Sequence, residues 1–259
     1  MKAMIFAAGL GTRLKPLTDS LPKALVPVAG EPLLKHVVSR LQESGISEFV
    51  VNVHHFADKI IRYIDDQQCF GASVSVSDER SCLLDTGGGI LNARVLLTDG
   101  ESPDGCFLVH NVDIISSIDI RAFLGEWRPG ALAVLLVSER KTQRYLLFDD
   151  DMKLVGWTNI ATGEVRSPYP SLDPSRCRKL AFSGIHLVSN GVFDVMVSEG
   201  MGERFPIMDF YLKVCDRYPI YGYVPDSLQL IDVGKLDTLA QAEDFILRLR
   251  RNCPEGSEA

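Results

Sequence analysis

Short apolar runs alternate along the chain with longer stretches whose apolar residues recur every three or four positions. The runs at residues 4–8, 49–53, 72–76, 106–109 and 132–137 predict strands. Between them, residues 32–43 predict a helix, with Pro32 in its first turn and Gly45 just beyond its end. Further helices are predicted at 57–64, 89–97 and 120–127, the last capped by Asp119. Strand–helix alternation of this kind predicts an α/β fold with a mainly parallel sheet and helices on both faces.

The pattern loosens after Val137. Residues 145–148 and 153–157 predict a hairpin around Asp149-Asp150-Asp151, and the prolines of 167–174 predict a loop. A strand at 179–188, helices at 192–197 and 206–215, and short strands at 220–224 and 229–231 come next. A closing helix at 236–249 carries Leu236, Leu239, Ala240, Ala242, Phe245, Ile246 and Leu249 on one side. The expected organisation is a single domain over 1–252, with a cap inserted at about 138–180 and a flexible tail at 253–259.

Composition narrows the chemistry. The 259 residues carry a net charge of −7, which argues against a nucleic-acid groove or an anionic membrane surface as partner. No apolar run approaches the ~20 residues of a membrane span. The first apolar run is broken by Gly9, Gly11 and Arg13 before any cleavage site, so the expected location is cytoplasmic. The six cysteines show no C-x-x-C spacing, which predicts reduced thiols and no zinc site.

On this acidic chain the cations near the N-terminus are a local feature. The first strand empties into Gly9-Leu10-Gly11, with Thr12, Arg13, Lys15 and then Lys23 beyond it. Glycines let backbone N–H groups approach an anion, and the cations neutralise its charge. Leu14 stands where the dinucleotide fingerprint needs a third glycine, and His54-His55, not an acid, come after the second strand. No Gly-Lys-Ser/Thr lies at the distance a P-loop requires. A phosphate cradle of another kind remains.

The stretch Ala7-Ala8-Gly9-Leu10-Gly11-Thr12-Arg13-Leu14-Lys15-Pro16-Leu17-Thr18, with Pro22-Lys23-Ala24-Leu25-Val26-Pro27-Val28, resembles the signature of sugar-1-phosphate nucleotidyltransferases. The resemblance continues through Asp85-Thr86-Gly87-Gly88-Gly89, Asn111-Val112-Asp113, Phe182-Ser183-Gly184-Ile185 and Ile231-Asp232-Val233-Gly234. It is most similar to the N-acetylmuramate-1-phosphate uridylyltransferase branch. It implies a Rossmann-like three-layer α/β/α fold with a mainly parallel mixed central sheet, of the nucleotide-diphospho-sugar transferase type.

The resemblance also implies roles. Asp113 and Asp232 would hold one Mg²⁺, which suits an ion that takes a few carboxylates and fills its shell with phosphate oxygens and water. Arg13 would hold the leaving phosphates and Lys23 the reacting phosphorus or the incoming sugar phosphate. Ala7, Ala8, Gly9, Gly11, Thr12, Arg13, Lys23, Asp85, Thr86, Gly87 and Gly88 would bind the nucleotide. Asn52, Asn111, Asn159, Ser183 and Gly184 are the sugar-side candidates. Arg176, Arg178 and Lys179 are possible substitutes for the second lysine of larger relatives. Val112 stands where the family usually has glycine.

The expected substrates are a nucleoside triphosphate, with UTP favoured, and a sugar 1-phosphate such as N-acetylmuramate 1-phosphate. Rival pairs are GTP with mannose 1-phosphate and CTP with phosphocholine. A non-catalytic nucleotide-sugar sensor is the rival of a different class. A monomer or small homo-oligomer is expected.

Overall fold

The computed structural model describes residues 1–98, 102 and 104–252; the expected tail at 253–259 lies outside the described residues. The first half holds strands β1 (Ala3–Phe6), β2 (Pro27–Val28), β3 (Glu31–Pro32), β4 (Glu48–Val53) and β5 (Ser73–Asp78). Helices α1 (Leu33–Glu43) and α2 (Ala57–Asp66) lie between them. Then come α3 (Asp85–Asn92), α4 (Arg94–Thr98), β6 (Cys106–Asn111), β7 (Ile114–Ser116), α5 (Ile120–Leu124) and β8 (Ala133–Ser138). Strands β9 (Arg144–Phe148), β10 (Leu154–Asn159) and β11 (Glu164–Arg166) precede the long β12 (Arg178–Ser189). Helices α6 (Val192–Ser198) and α7 (Ile207–Val214), strands β13 (Ile220–Tyr223) and β14 (Leu230–Asp232), and helix α8 (Asp237–Asn252) complete the chain.

Strands β5, β4, β1 and β6 lie side by side and parallel. Strand β12 runs against β6 and β8, and β13 pairs parallel with β8. The central sheet is therefore mixed and mostly parallel, as the strand–helix alternation predicts. Its inner strands β1, β4, β6 and β8 are mostly apolar on both sides, as expected of a sheet covered on both faces.

The two-residue period of each strand divides the core. Ala3, Ile5, Phe49, Val51 and Leu108 face one way and meet α1, α2, α5 and α8. Met4, Val50, Phe107 and Val109 face the other way and meet α3, α4, α6 and α7. These are the three layers. Val112 is buried in the first of these cores and also borders a cavity at the strand ends.

Two details differ from the elements that the sequence predicts. The helix predicted at 89–97 starts earlier, at Asp85, and breaks at Ala93 into α3 and α4. Strand β7, too short to carry a period of its own, pairs with β14 in a separate two-stranded ribbon. Within residues 138–180, β9 pairs with the start of β12, and β10 and β11 add outward, so this segment continues the sheet. Its Leu146, Phe148 and Leu154 join the second core.

The described cysteines form no disulfide. Among the described residues no helix is long and apolar enough to cross a membrane.

Candidate active site

Parallel strands end on the same edge of a sheet, and that edge is where open α/β sheets hold ligands. The register aligns Phe6 of β1 with Asn52 of β4 and with Asn111 of β6. The segments that leave these three strands therefore converge. A cavity of about 290 Å³ opens here, lined by Ala7, Ala8, Gly9, Lys23, Asn52, Glu79, Asp85, Thr86, Asn111 and Asp113 among others.

The glycine turn is shaped by its neighbours. Gly11 has φ +63°, and a Cβ there would fall 2.9 Å from Thr18 Cγ2 and 3.1 Å from Lys23 Cβ. Its carbonyl accepts from the Leu14 N–H at 2.9 Å and from the Thr18 hydroxyl at 2.8 Å. Gly11 thus lets the turn close over Lys23. Gly9 has open space around it and lines the cavity. Thr12 and Arg13 come next, in an exposed 3₁₀ turn.

Asp113 and Asp232 are brought together by backbone. The β7–β14 ribbon pairs Asp232 with Ile114, and the Val233 N–H donates to the Asp113 carbonyl at 2.8 Å. Lys23 Nζ lies 2.5 Å from Asp113 Oδ2. A Cβ at Gly234 would fall 2.7 Å from Arg13 Nη2 and 2.7 Å from Asp232 Oδ1, so this glycine lets the Arg13 guanidinium approach the acid. The Asp232 carboxyl is held above the usual carboxylate range, first by its enclosure and then by the Asp113 carboxylate, against the opposing pull of Lys23 and Arg13.

Two carboxylates this close repel one another, and a cation between them relieves that repulsion. Among the described residues no group of three or more acids, histidines or cysteines forms a complete metal cage. Asp113, which lines the cavity, and Asp232, set beside it by the ribbon, offer the two carboxylates that suit Mg²⁺, an ion that keeps water and takes phosphate oxygens. Asp113 and Asp232 fit such an ion and are the residues that would hold it.

Gly87 and Gly88, expected to bind the nucleotide, meet other parts of the protein. The Gly87 and Gly88 N–H groups donate to the Phe205 carbonyl at 2.8 and 3.2 Å. A Cβ at Gly87 would lie 2.3 Å from the Phe205 ring, and one at Gly88 would lie 2.1 Å from the Glu203 carbonyl oxygen. Gly87 and Gly88 let α3 pack closely on the 203–207 segment, and Thr86 adds to this by accepting from the Ile207 N–H at 2.9 Å. Asp85, with φ +63°, accepts from the Thr86 N–H and faces the cavity.

Glu79, which the sequence does not single out, connects the two sides. It is 1% exposed, and its Oε1 accepts from Asn52 Nδ2 at 2.7 Å while its Oε2 accepts from the Leu84 N–H at 3.4 Å. Asn52 Oδ1 in turn accepts from the N–H groups of Ala7 at 2.8 Å and Ala8 at 3.3 Å. Asn52, expected on the sugar side, thus has both ends of its amide engaged in holding the phosphate turn. Burial raises the Glu79 carboxyl above the usual range, opposed by its bond to Asn52. The available signal for Glu79 is a charged residue directly after β5, at the ligand-bearing edge.

The other sugar-side candidates separate. Ser183 and Gly184 occupy an irregularity in β12, where the pairing with β8 shifts between Phe182 and His186. A Cβ at Gly184, φ +75°, would fall 2.9 Å from Asn111 Nδ2. The Ser183 hydroxyl is buried and has no hydrogen-bond partner among the described residues. Asn159 is not brought to this group: it closes the β10–β11 turn, where its Oδ1 accepts from the Ala161 N–H at 3.0 Å.

The model of the nucleotidyl transferase family matches residues 2–248. The chain belongs to the nucleotidyl transferase family. It is 32% identical over 87% of its length to an N-acetylmuramate alpha-1-phosphate uridylyltransferase of Caulobacter vibrioides, covering 89% of that protein. A protein of the same description from Neisseria meningitidis is 42% identical over 47% of this chain and 51% of its own. A crystal structure described as a putative glucose-1-phosphate thymidylyltransferase from Bacillus anthracis shares the fold with TM-score 0.75 at 21% identity, over 99% of this chain and 98% of the other. Membership makes this transferase an enzyme of sugar-1-phosphate nucleotidyl transfer.

Proposed function

We propose that the protein joins UTP and N-acetylmuramate 1-phosphate to give a uridine-diphosphate sugar and pyrophosphate, with Mg²⁺ as cofactor. The observation that carries this reading is the meeting of Lys23 and Arg13 with Asp113 and Asp232 at one edge of the sheet. The choice of base and sugar rests on the uridylyltransferase from Caulobacter vibrioides, similar over most of the chain.

In this reaction an oxygen of the sugar phosphate attacks the α-phosphorus, and the bond from that phosphorus to the bridging oxygen of pyrophosphate breaks. Both reactants are polyanions, so the obstacle is charge. Arg13, whose fork matches phosphate oxygens, holds the leaving pyrophosphate from its exposed turn. Lys23 supplies a point charge beside the reacting phosphorus. Ala7, Ala8 and Gly9 border the nucleotide's phosphates, and Asp85 and Thr86 lie on the base side. Asn111, Ser183 and Gly184 meet the sugar. Asp113 and Asp232 would hold the Mg²⁺, which would supply positive charge to offset what develops on the phosphates. No general base is required, because a sugar phosphate is ionised near neutral pH. Positioning and electrostatics then supply most of the acceleration.

The test is pyrophosphate release with Mg²⁺, each of the four nucleoside triphosphates, and a panel including N-acetylmuramate, glucose and mannose 1-phosphates and phosphocholine. The expected signal is confined to UTP with N-acetylmuramate 1-phosphate. A faster rate with another pair reassigns the substrate, and silence across the panel favours a sensor.

A further inference from the structure

Lys23 does not point into open solvent to await a phosphate. Its Nζ is bonded to Asp113 Oδ2 at 2.5 Å, and the two side chains are 11% and 18% exposed. Its backbone is fixed by a 3₁₀ turn, in which the Leu25 N–H donates to Pro22 and the Val26 N–H to Lys23. Asp113 Oδ2 is thus held by a cation the chain itself provides.

We infer that Lys23 is an internal stand-in for the metal, which occupies Asp113 until the phosphates of a bound nucleotide draw it away. The inference rests on reading Asp113 and Asp232 as the divalent site. An ammonium at hydrogen-bond distance and a divalent ion on the same carboxylate repel one another, so each weakens the other's hold on Asp113. The lysine ammonium is a compact charge on a flexible four-carbon stem, so it moves without moving the backbone. A nucleotide brings anionic oxygens into the cavity that Lys23 and Asp113 both line. Transfer of Lys23 from carboxylate to phosphate frees Asp113 for the metal at the moment when the metal's other ligands arrive.

The metal alone then binds weakly, because it must displace an ion pair that is already formed. Metal and nucleotide favour one another's binding reciprocally, as linkage requires. The charge that would repel an early metal is the charge later used on the substrate.

The experiment measures Mn²⁺ binding to the full-length protein without nucleotide, by the electron paramagnetic resonance of free Mn²⁺. Wild type is compared with Lys23→Gln, Lys23→Met and Asp232→Asn, each checked for folding by its melting temperature. Both lysine variants are expected to bind Mn²⁺ at least ~10-fold more tightly than wild type, on the scale of coupling between close charge pairs. Unchanged or weaker binding in both, with binding lost in Asp232→Asn, overturns the stand-in role and leaves the acids as the metal site. Unchanged binding in Asp232→Asn removes the two acids as the metal site, and the inference with them.

Discussion

The Val233 N–H donates to the Asp113 carbonyl at 2.8 Å, so Asp113 and Asp232 are held beside each other by backbone rather than by their own side chains. Changing either carboxylate to an amide leaves that ribbon in place. Asp113→Asn and Asp232→Asn are each expected to lower turnover at least ~100-fold, the scale of a lost electrostatic group, with an unchanged circular-dichroism spectrum. Near-normal turnover in either variant would release that acid from the reacting centre.

The close packing at Gly88 makes a prediction about stability. An alanine Cβ would meet the Glu203 carbonyl oxygen at 2.1 Å, against backbone that cannot turn aside. Gly88→Ala is expected to destabilise the fold by about 1–3 kcal/mol, the usual cost of overpacking. Urea unfolding without ligand measures it. A variant as stable as wild type that only loses nucleotide affinity would return this glycine to the base.

Glu79 acts through Asn52 on the phosphate turn and through Leu84 on the start of α3. Glu79→Ala removes both connections and is expected to raise the KM for the nucleotide about tenfold or more, as small misplacements in a site do. Glu79→Gln keeps an acceptor for Asn52 and should recover most of that loss. Initial rates at varied nucleotide concentration decide it; equal KM values in wild type and Glu79→Ala sink the idea.

Two buried histidines set an acid limit on stability. Burial depresses His110 to about 4 and His186 to about 3. In the unfolded chain both take up protons below about pH 6.5, whereas in the fold they stay neutral until much lower pH. Their contribution is therefore present above about pH 6.5 and falls as pH drops toward the folded values, by about 1.4 kcal/mol per pH unit for each histidine. His186→Gln, which keeps a polar group near Tyr211 Oη, should lose less stability between about pH 7.5 and 5.5 than wild type in urea titrations. Equal losses would show that His186 does not control this window.

Much of the fold is legible because its signals are local. The apolar run from Ala3 marks a buried strand, and the recurrence of Leu33, Leu34, Val37, Val38 and Leu41 marks the inward face of α1. The phosphate turn is legible because glycines and cations lie next to one another in the chain. Strands β7 and β11 are not, since three residues carry too little periodicity. The glycine triplet is ambiguous for another reason: a missing Cβ says that something comes close, not what. Phe205 and Glu203, far along the chain, are what comes close to Gly87 and Gly88.

The sequence by itself determined the layered α/β architecture, the phosphate turn, and the residue types able to handle two polyanions, because each depends on side-chain period or on neighbours in the chain. Only the tertiary structure decided that the ribbon sets Asp232 against Asp113, that Lys23 rests on that acid, and that Glu79 and Asn52 brace the turn. These relations arise from strand register and close packing between distant segments, which no local pattern of residues encodes.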